Sequence, residues 1–222
     1  VGSEMCIRDS ATGKYYIFLN NDVEMIGTDW ILRLSGDCHR NKVGVTGVKL
    51  YYPDDTVQHA GIVIGIGGSK RGIAANMFQG LPREEHGYQN RASLQADYSA
   101  VTAACMMVKK DVFDAVDGFT EKLQVAFNDV DFCLKVRKKG YLVMYDPKIE
   151  GYHYESKSRG AEDTPEKVRR FQGEIDTFRV LWKDILKDGD PYYNRNFSLV
   201  SNQYLLCLLY TSPSPRDTER SR

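Results

Sequence analysis

The stretch Tyr15-Tyr16-Ile17-Phe18-Leu19-Asn20-Asn21-Asp22-Val23-Glu24 decides how this chain is read. Its first five residues form a short continuous apolar run, which predicts a strand buried on both faces, as parallel strands are. The run stops at Asn20, and a polar turn carrying carboxylates follows. Open α/β sheets hold their ligands just beyond the carboxyl ends of strands, so Asn20, Asn21 and Asp22 become candidate binding residues. Asp22 is a hard oxygen donor suited to a divalent cation, with Asn20 or Glu24 as helpers. An Asx turn after the strand accounts for the same residues on spacing alone.

Working outward, the pattern alternates between strands and helices. Thr28 can cap a helix whose apolar positions are Trp30, Ile31 and Leu34, and residues 43–50 return as a β-branched strand. Residues 57–68 suggest a hairpin or edge strand entering a glycine-rich loop. Residues 66–95 lack periodicity and read as a long surface loop, a length that is usually functional or disordered. A second buried-type strand is predicted at 101–108 and a short helix at 111–116. Asn128 should cap a helix carrying Val130, Cys133, Leu134 and Arg137 and stopping at Gly140. Residues 141–145 are strand-like, and a further extended piece runs from Pro147 to His153. Thr164 with Pro165 opens a long amphipathic helix ending before Gly189. No internal repeat or low-complexity tract is present.

Composition bounds the function classes. The 222 residues are 42% hydrophobic and 11% aromatic, enough to bury a core without staples. Thirty basic residues balance thirty acidic ones, so no global field favours nucleic acid or an anionic membrane, and an anionic substrate needs a local site. The five cysteines, Cys6, Cys38, Cys105, Cys133 and Cys207, contain no C-x-x-C pair, which disfavours a disulfide framework and fits a reducing cytoplasm. No apolar run approaches the roughly 20 residues of a bilayer span. The opening VGSEMCIRDS and the closing CLLYTSPSPRDTERSR resemble translated sequencing adapter; ordinary disordered tails are the alternative. The expected division is therefore 1–10 and 204–222 as ends without chemistry, and 11–203 as the domain. Because that domain opens abruptly on a buried-type strand, preceding elements are expected to exist.

Two further spots carry chemical meaning. Phe127-Asn128-Asp129-Val130-Asp131 lies at a helix start, where acids stabilise the macrodipole, so simple capping accounts for both aspartates. A carboxylate kept ionised there also suits removal of a hydroxyl proton, and Asp129 is the candidate base. Tyr152-His153-Tyr154-Glu155-Ser156 offers an imidazole of the kind manganese sites mix with oxygen, although an isolated histidine beside tyrosines is commonly a packing residue. Gly65-Ile66-Gly67-Gly68-Ser69-Lys70 fails both the Walker and the G-x-G-x-x-G spacing and reads as a loop.

The strings YYIFLNNDVEMI, TVQHAGIVIG, YSAVTAACMMVKKDVFDAVDGF, VAFNDVDFCLKVRKKGYLVMYDP and GYHYESKSRG follow one another as in family 2 glycosyltransferases resembling rhamnosyltransferases of surface-polysaccharide synthesis. The resemblance spans about 13–199. It implies a partial A-type glycosyltransferase fold, a mixed sheet flanked by helices, with the nucleotide-binding strands of the family expected before Ala11. It further implies a nucleotide-sugar donor, a glycan or lipid-linked saccharide acceptor, manganese or magnesium, and one displacement that inverts the anomeric centre. By position, Asn20-Asn21-Asp22 resembles the metal and diphosphate motif, Asp129 the catalytic base and His153 a further metal ligand. Residues 102–105, including Thr102, and the Gln58-His59 region resemble walls of the acceptor pocket, with Asp131 beside them. The usual D-x-D begins here with Asn20, which shifts the metal toward Asp22 and His153. Activity is expected of the intact gene product and little of this fragment alone. A non-catalytic saccharide-binding module and a metal-dependent phosphodiester hydrolase are the rival readings; the second needs more clustered His and Asp than the sequence offers.

Overall fold

The computed structural model describes residues 11–67, 72–154 and 164–207. Nine strands are described: β1 (Tyr15–Leu19), β2 (Val23–Ile26), β3 (Val43–Tyr51), β4 (Val57–His59), β5 (Ile62–Ile64), β6 (Ala74–Asn76), β7 (Ala96–Asp97), β8 (Cys105–Lys109) and β9 (Leu142–His153). The helices are α1 (Trp30–His39), α2 (Lys110–Ala115), α3 (Asn128–Lys138), α4 (Pro165–Leu181) and α5 (Lys183–Asp188). The main sheet runs β1-β8-β3-β9-β2, with β4 added on β3 and β7 on β9; β5 and β6 form a separate ribbon. Only the β3–β9 pair is parallel, and the other pairings are antiparallel. The expected mixed sheet flanked by helices is the fold found.

Alternation along the strands explains the layers. Val45, Met106 and Val108 face one buried cluster with Val130, Phe132 and Val136 of α3, whereas Val48, Leu50, Cys105 and Met107 face another with Leu34 and Cys38 of α1. Successive side chains of a strand point to opposite faces, so β3 and β8 are apolar on both and the sheet lies between helices. The long amphipathic helix is broken at Trp182 into α4 and α5, and its predicted start holds: Pro165 occupies the first turn and Thr164 Oγ1 accepts from the Lys167 amide at 3.3 Å.

Several local expectations are corrected. β1 is not a doubly buried parallel strand. It lies at the sheet edge, pairs antiparallel with β8, and leaves Ile17 and Leu19 exposed while Tyr16 is buried. Residues 141–145 and the piece after Pro147 are one strand, β9, whose register against β3 shifts after Val48 opposite Asp146, so that Lys49 already faces Glu150. That irregularity admits Pro147, which has no amide to give a ladder. α1 starts after Asp29 rather than being capped by Thr28, and the Asp29 carboxylate bonds Arg33 instead. The segment 66–95 is not a bare loop: it supplies β6 and buries Met77, Phe78 and Ala92. Phe78 packs on Tyr204, which also meets Tyr88, Tyr193 and Phe197, so the packed chain continues past the expected boundary at 203. The ends 1–10 and 208–222, most of the glycine-rich loop after Gly67 and the ESKSRG part of the last motif lie outside the described residues. Among the described residues no helix is long and apolar enough to cross a membrane, and Cys38, Cys105, Cys133 and Cys207 are free thiols.

Candidate active site

The ladder between β2 and β9 brings the first and third sequence spots together. Val23 pairs with His153, and the Tyr154 amide donates to the Asp22 carbonyl at 2.9 Å. Asp22 Oδ1 then lies 3.2 Å from His153 Nε2, both side chains being mostly buried. Two ligands of one cation, each about 2.0–2.6 Å from it, sit roughly 3–5 Å apart, so the pair meets that geometric requirement. The Asn20 amide reaches the same ring nitrogen at 3.4 Å, while Asn21 is exposed.

The other ring nitrogen fixes what faces Asp22. Gln58, on β4, donates its amide to the His153 carbonyl at 3.3 Å, which orients its oxygen toward His153 Nδ1 at 2.7 Å. An amide oxygen only accepts, so Nδ1 carries a proton, and in the singly protonated ring the lone pair is the one at Nε2. In that form Nε2 faces both the Asn20 side-chain amide and the Asp22 carboxylate, and an outer partner on the far nitrogen is the usual support of a metal-binding histidine. Among the described residues no third His, Cys, Asp or Glu joins the pair.

The second spot reaches the same edge through the turn before β8. The Asn20 amide donates to the Ala104 carbonyl at 2.9 Å, and the Ala103 amide donates to Asp129 Oδ2 at 3.2 Å. Asp129 Oδ1 accepts from the Val130 amide at 2.8 Å in the first turn of α3. Burial pushes the Asp129 carboxyl above the ordinary carboxylate value, against the pull of the Ala103 and Val130 amides, yet the residue keeps partial access to solvent. Asn128 does not cap α3. It is the first helical residue, preceded by Phe127 in the left-handed conformation (φ 61°).

The predicted pocket walls separate. Thr102 lies on the turn itself, where its hydroxyl accepts from the Ala104 amide at 3.2 Å. His59 is buried beneath that turn: its Nε2 lies 3.4 Å from the Thr102 amide, and its Nδ1 is 2.6 Å from Asn76 Oδ1. Asp131 points to the opposite side of α3, with Trp182 Nε1 donating to Oδ1 at 2.8 Å and the Thr120 hydroxyl to Oδ2 at 2.6 Å. His59 therefore supports the turn and Asp131 anchors a helix, because in both the polar atoms are already bonded inward. The support from Gln58 and the Ala103 amide was invisible in the sequence, since Gln58 lies 95 residues from His153 and a backbone amide has no residue code.

Burial of His59 lowers its pKa from 6.5 to about 4, with His153 adding to the effect. The native ring stays neutral while the unfolded ring protonates near pH 6.5, so the unfolded state binds more protons between these values and stability falls as pH falls. The loss attributable to His59 between pH 7.5 and 4.5 is expected to be on the order of 2–3 kcal/mol, measured by urea unfolding of wild type against His59→Gln. Asp129 and Asp190, whose carboxyls burial pushes up, act in the opposite sense and cancel in that difference.

Comparison with known proteins is consistent with this geometry. No protein-family model matches the chain. It is 47% identical over 195 residues to the uncharacterized protein y4gI of Sinorhizobium fredii, covering 87% of this chain and 21% of that protein. It is 33% identical over 192 residues to the O-antigen biosynthesis protein RfbC of Myxococcus xanthus, covering 86% of this chain and 14% of that protein. The chain thus spans about a fifth or less of the length of these curated relatives. Among solved structures, the crystal structure of GalNAc-T7 with UDP, GalNAc and Mn2+ superposes with a TM-score of 0.57 at 12% identity, over 84% of this chain and 35% of that one. The fold is glycosyltransferase-like.

Proposed function

We propose that this chain is the metal-motif and acceptor-side portion of an inverting glycosyltransferase. The reaction moves a sugar from a nucleotide-diphosphate donor to a glycan or lipid-linked saccharide, on the cytoplasmic side and within polysaccharide biosynthesis. The observation that carries the reading is the Asp22–His153 pair with Gln58 behind it, joined through Asn20 and the 102–104 turn to the Asp129 carboxylate. The relative named for O-antigen biosynthesis and the neighbour crystallised with UDP, GalNAc and Mn2+ support the same class.

Asp22 and His153 would hold a divalent cation of the manganese or magnesium kind, since a carboxylate oxygen and an imidazole nitrogen 3.2 Å apart are donors that such ions accept. Such a cation offsets the negative charge that develops on the departing nucleoside diphosphate. Asp129 receives the proton of the acceptor hydroxyl as its oxygen attacks the anomeric carbon and the bond to the diphosphate oxygen breaks on the opposite face. The Asp129 oxygens accept the Ala103 and Val130 amides, with the Thr102 hydroxyl as a further donor to the carboxylate. The Ala103 and Val130 amides hold the carboxylate at the helix start and favour its ionised form, which a base requires. Rhamnose is the sugar the sequence resemblance favours.

The test is turnover by the full-length protein, supplied with nucleotide sugars, Mn2+ and a saccharide acceptor. Nucleoside diphosphate released only when acceptor is present, with a product of inverted anomeric configuration, is the expected result. Release of sugar phosphate without acceptor identifies a phosphodiester hydrolase, and saccharide binding without turnover a scaffold; either outcome overturns the proposal.

A further inference from the structure

Asp129 is held from two directions, and only one belongs to the site described above. Toward the sheet its Oδ2 accepts the Ala103 amide. Toward α4, the chain entering α3 is gripped by Glu174, a carboxylate that is only 3% exposed. Glu174 Oε1 accepts the amides of Gln124 and Val125, each at 3.0 Å, and Oε2 accepts that of Ala126 at 2.9 Å. Three consecutive amides thus converge on one side chain, and the residue that follows them is Phe127.

Phe127 stands in the left-handed region, which costs a residue bearing a Cβ and persists only where its surroundings over-determine it. Those surroundings are again α4. The Phe127 ring stacks on Phe171 with centroids 5.9 Å apart and meets Phe178 at 5.5 Å. Residues 171, 174 and 178 recur at helical spacing, so one stripe of α4 holds both the amides before the turn and the ring at it. Arg170 Nε lies 4.0 Å from Glu174 Oε1 in an i,i+4 pair, so the three backbone amides are the shorter contacts of this carboxylate. Phe127 precedes Asp129 by two residues, and its carbonyl accepts the Asp131 amide at 2.8 Å, a hydrogen bond of the first turn of α3. Any rotation at Phe127 displaces the start of the helix and with it the Asp129 carboxylate.

We propose that Glu174 is a positioning residue for Asp129: its buried carboxylate gathers the 124–126 amides and so fixes the turn that aims the base. The inference rests on the reading of Asp129 given under Proposed function. Displacement of a reacting group by about 1 Å costs on the order of 10²-fold in rate, so a grip two residues away governs turnover without touching substrate.

The experiment compares Glu174→Gln, Glu174→Ala, Asp129→Asn and the Asp129→Asn/Glu174→Gln double variant of the full-length protein, below the melting transition of each. Glu174→Gln keeps the shape and one acceptor oxygen, and is expected to lower kcat roughly 10-fold, with Glu174→Ala roughly 10²-fold lower. The donor KM and the Mn2+ concentration for half-maximal rate should not move, because Asp22 lies just before β2 and His153 at the end of β9, away from the Glu174 contacts. In the Asp129→Asn background Glu174→Gln should cost nothing more, since no base remains to be aimed. A lowered melting temperature with unchanged kcat, or full additivity in the double variant, reduces Glu174 to holding the fold and overturns the proposal. An Asp129→Asn protein that turns over normally removes the reading of Asp129 itself, and this role of Glu174 with it.

Discussion

Replacing Asp129 by asparagine in the full-length protein is expected to lower kcat by roughly 10²–10⁴-fold, the range a positioned general base supplies. The substitution keeps the volume of the side chain and an oxygen able to accept one of the two amides now bonded to Asp129, from Ala103 at 3.2 Å and Val130 at 2.8 Å. What it removes is the ability to take a proton from the acceptor hydroxyl. Donor KM should change little, because no donor-binding role falls on Asp129. The pH dependence gives a second check. A base works only when ionised, so kcat falls as pH drops through its pKa, and burial places that fall above the ordinary carboxylate value of 3.8. The residual rate of the asparagine variant should lack this acid limb. Wild-type kcat in Asp129→Asn would exclude Asp129 as the base.

How much of this was legible in the sequence varies by residue. Tyr15–Leu19 was readable as a strand because five apolar residues followed by Asn-Asn-Asp leave few alternatives, and its chain position put Asp22 just past a strand end. Its surroundings were not readable. A continuous apolar run signals burial on both faces, yet among the described residues β1 pairs only with β8 and is half-covered, since which strand becomes an edge depends on long-range pairing. The meeting of Asp22 with His153 is likewise a property of the β2–β9 ladder, which joins residues 131 positions apart. The bonding of His59 and Asp131 was unreadable for a shared reason. Each is a polar residue beside a chemically suggestive neighbour, and spacing does not reveal whether its atoms are bonded inward. In the structure His59 bonds Asn76 and Asp131 bonds Trp182 and Thr120. Glu174 carried no signal at all, because in sequence it is one more charge on an amphipathic helix.

The metal pair makes the other large prediction. Asp22→Ala or His153→Ala in the full-length protein should each lower the rate with saturating donor by on the order of 10²-fold or more, because a cation at the leaving group supplies several kcal/mol of charge stabilisation. Chelation of wild type should have a comparable effect, reversed by Mn2+ or Mg2+. Gln58→Leu separates this reading from an ordinary ion pair. It removes the acceptor that holds the proton on His153 Nδ1, 2.7 Å away, while leaving both proposed ligands in place. Loss of such an outer partner typically weakens metal affinity 10–100-fold, so Gln58→Leu should shift the Mn2+ dependence to higher concentration with the rate recovering at saturation. An imidazolium–carboxylate ion pair behaves differently. It has no use for a lone pair at Nε2, so chelation would leave the rate unchanged, and Asp22→Ala would register only as a loss of stability. Mn2+ titration of the Gln58→Leu protein therefore tests the reading where it is most exposed, at the nitrogen 3.2 Å from Asp22.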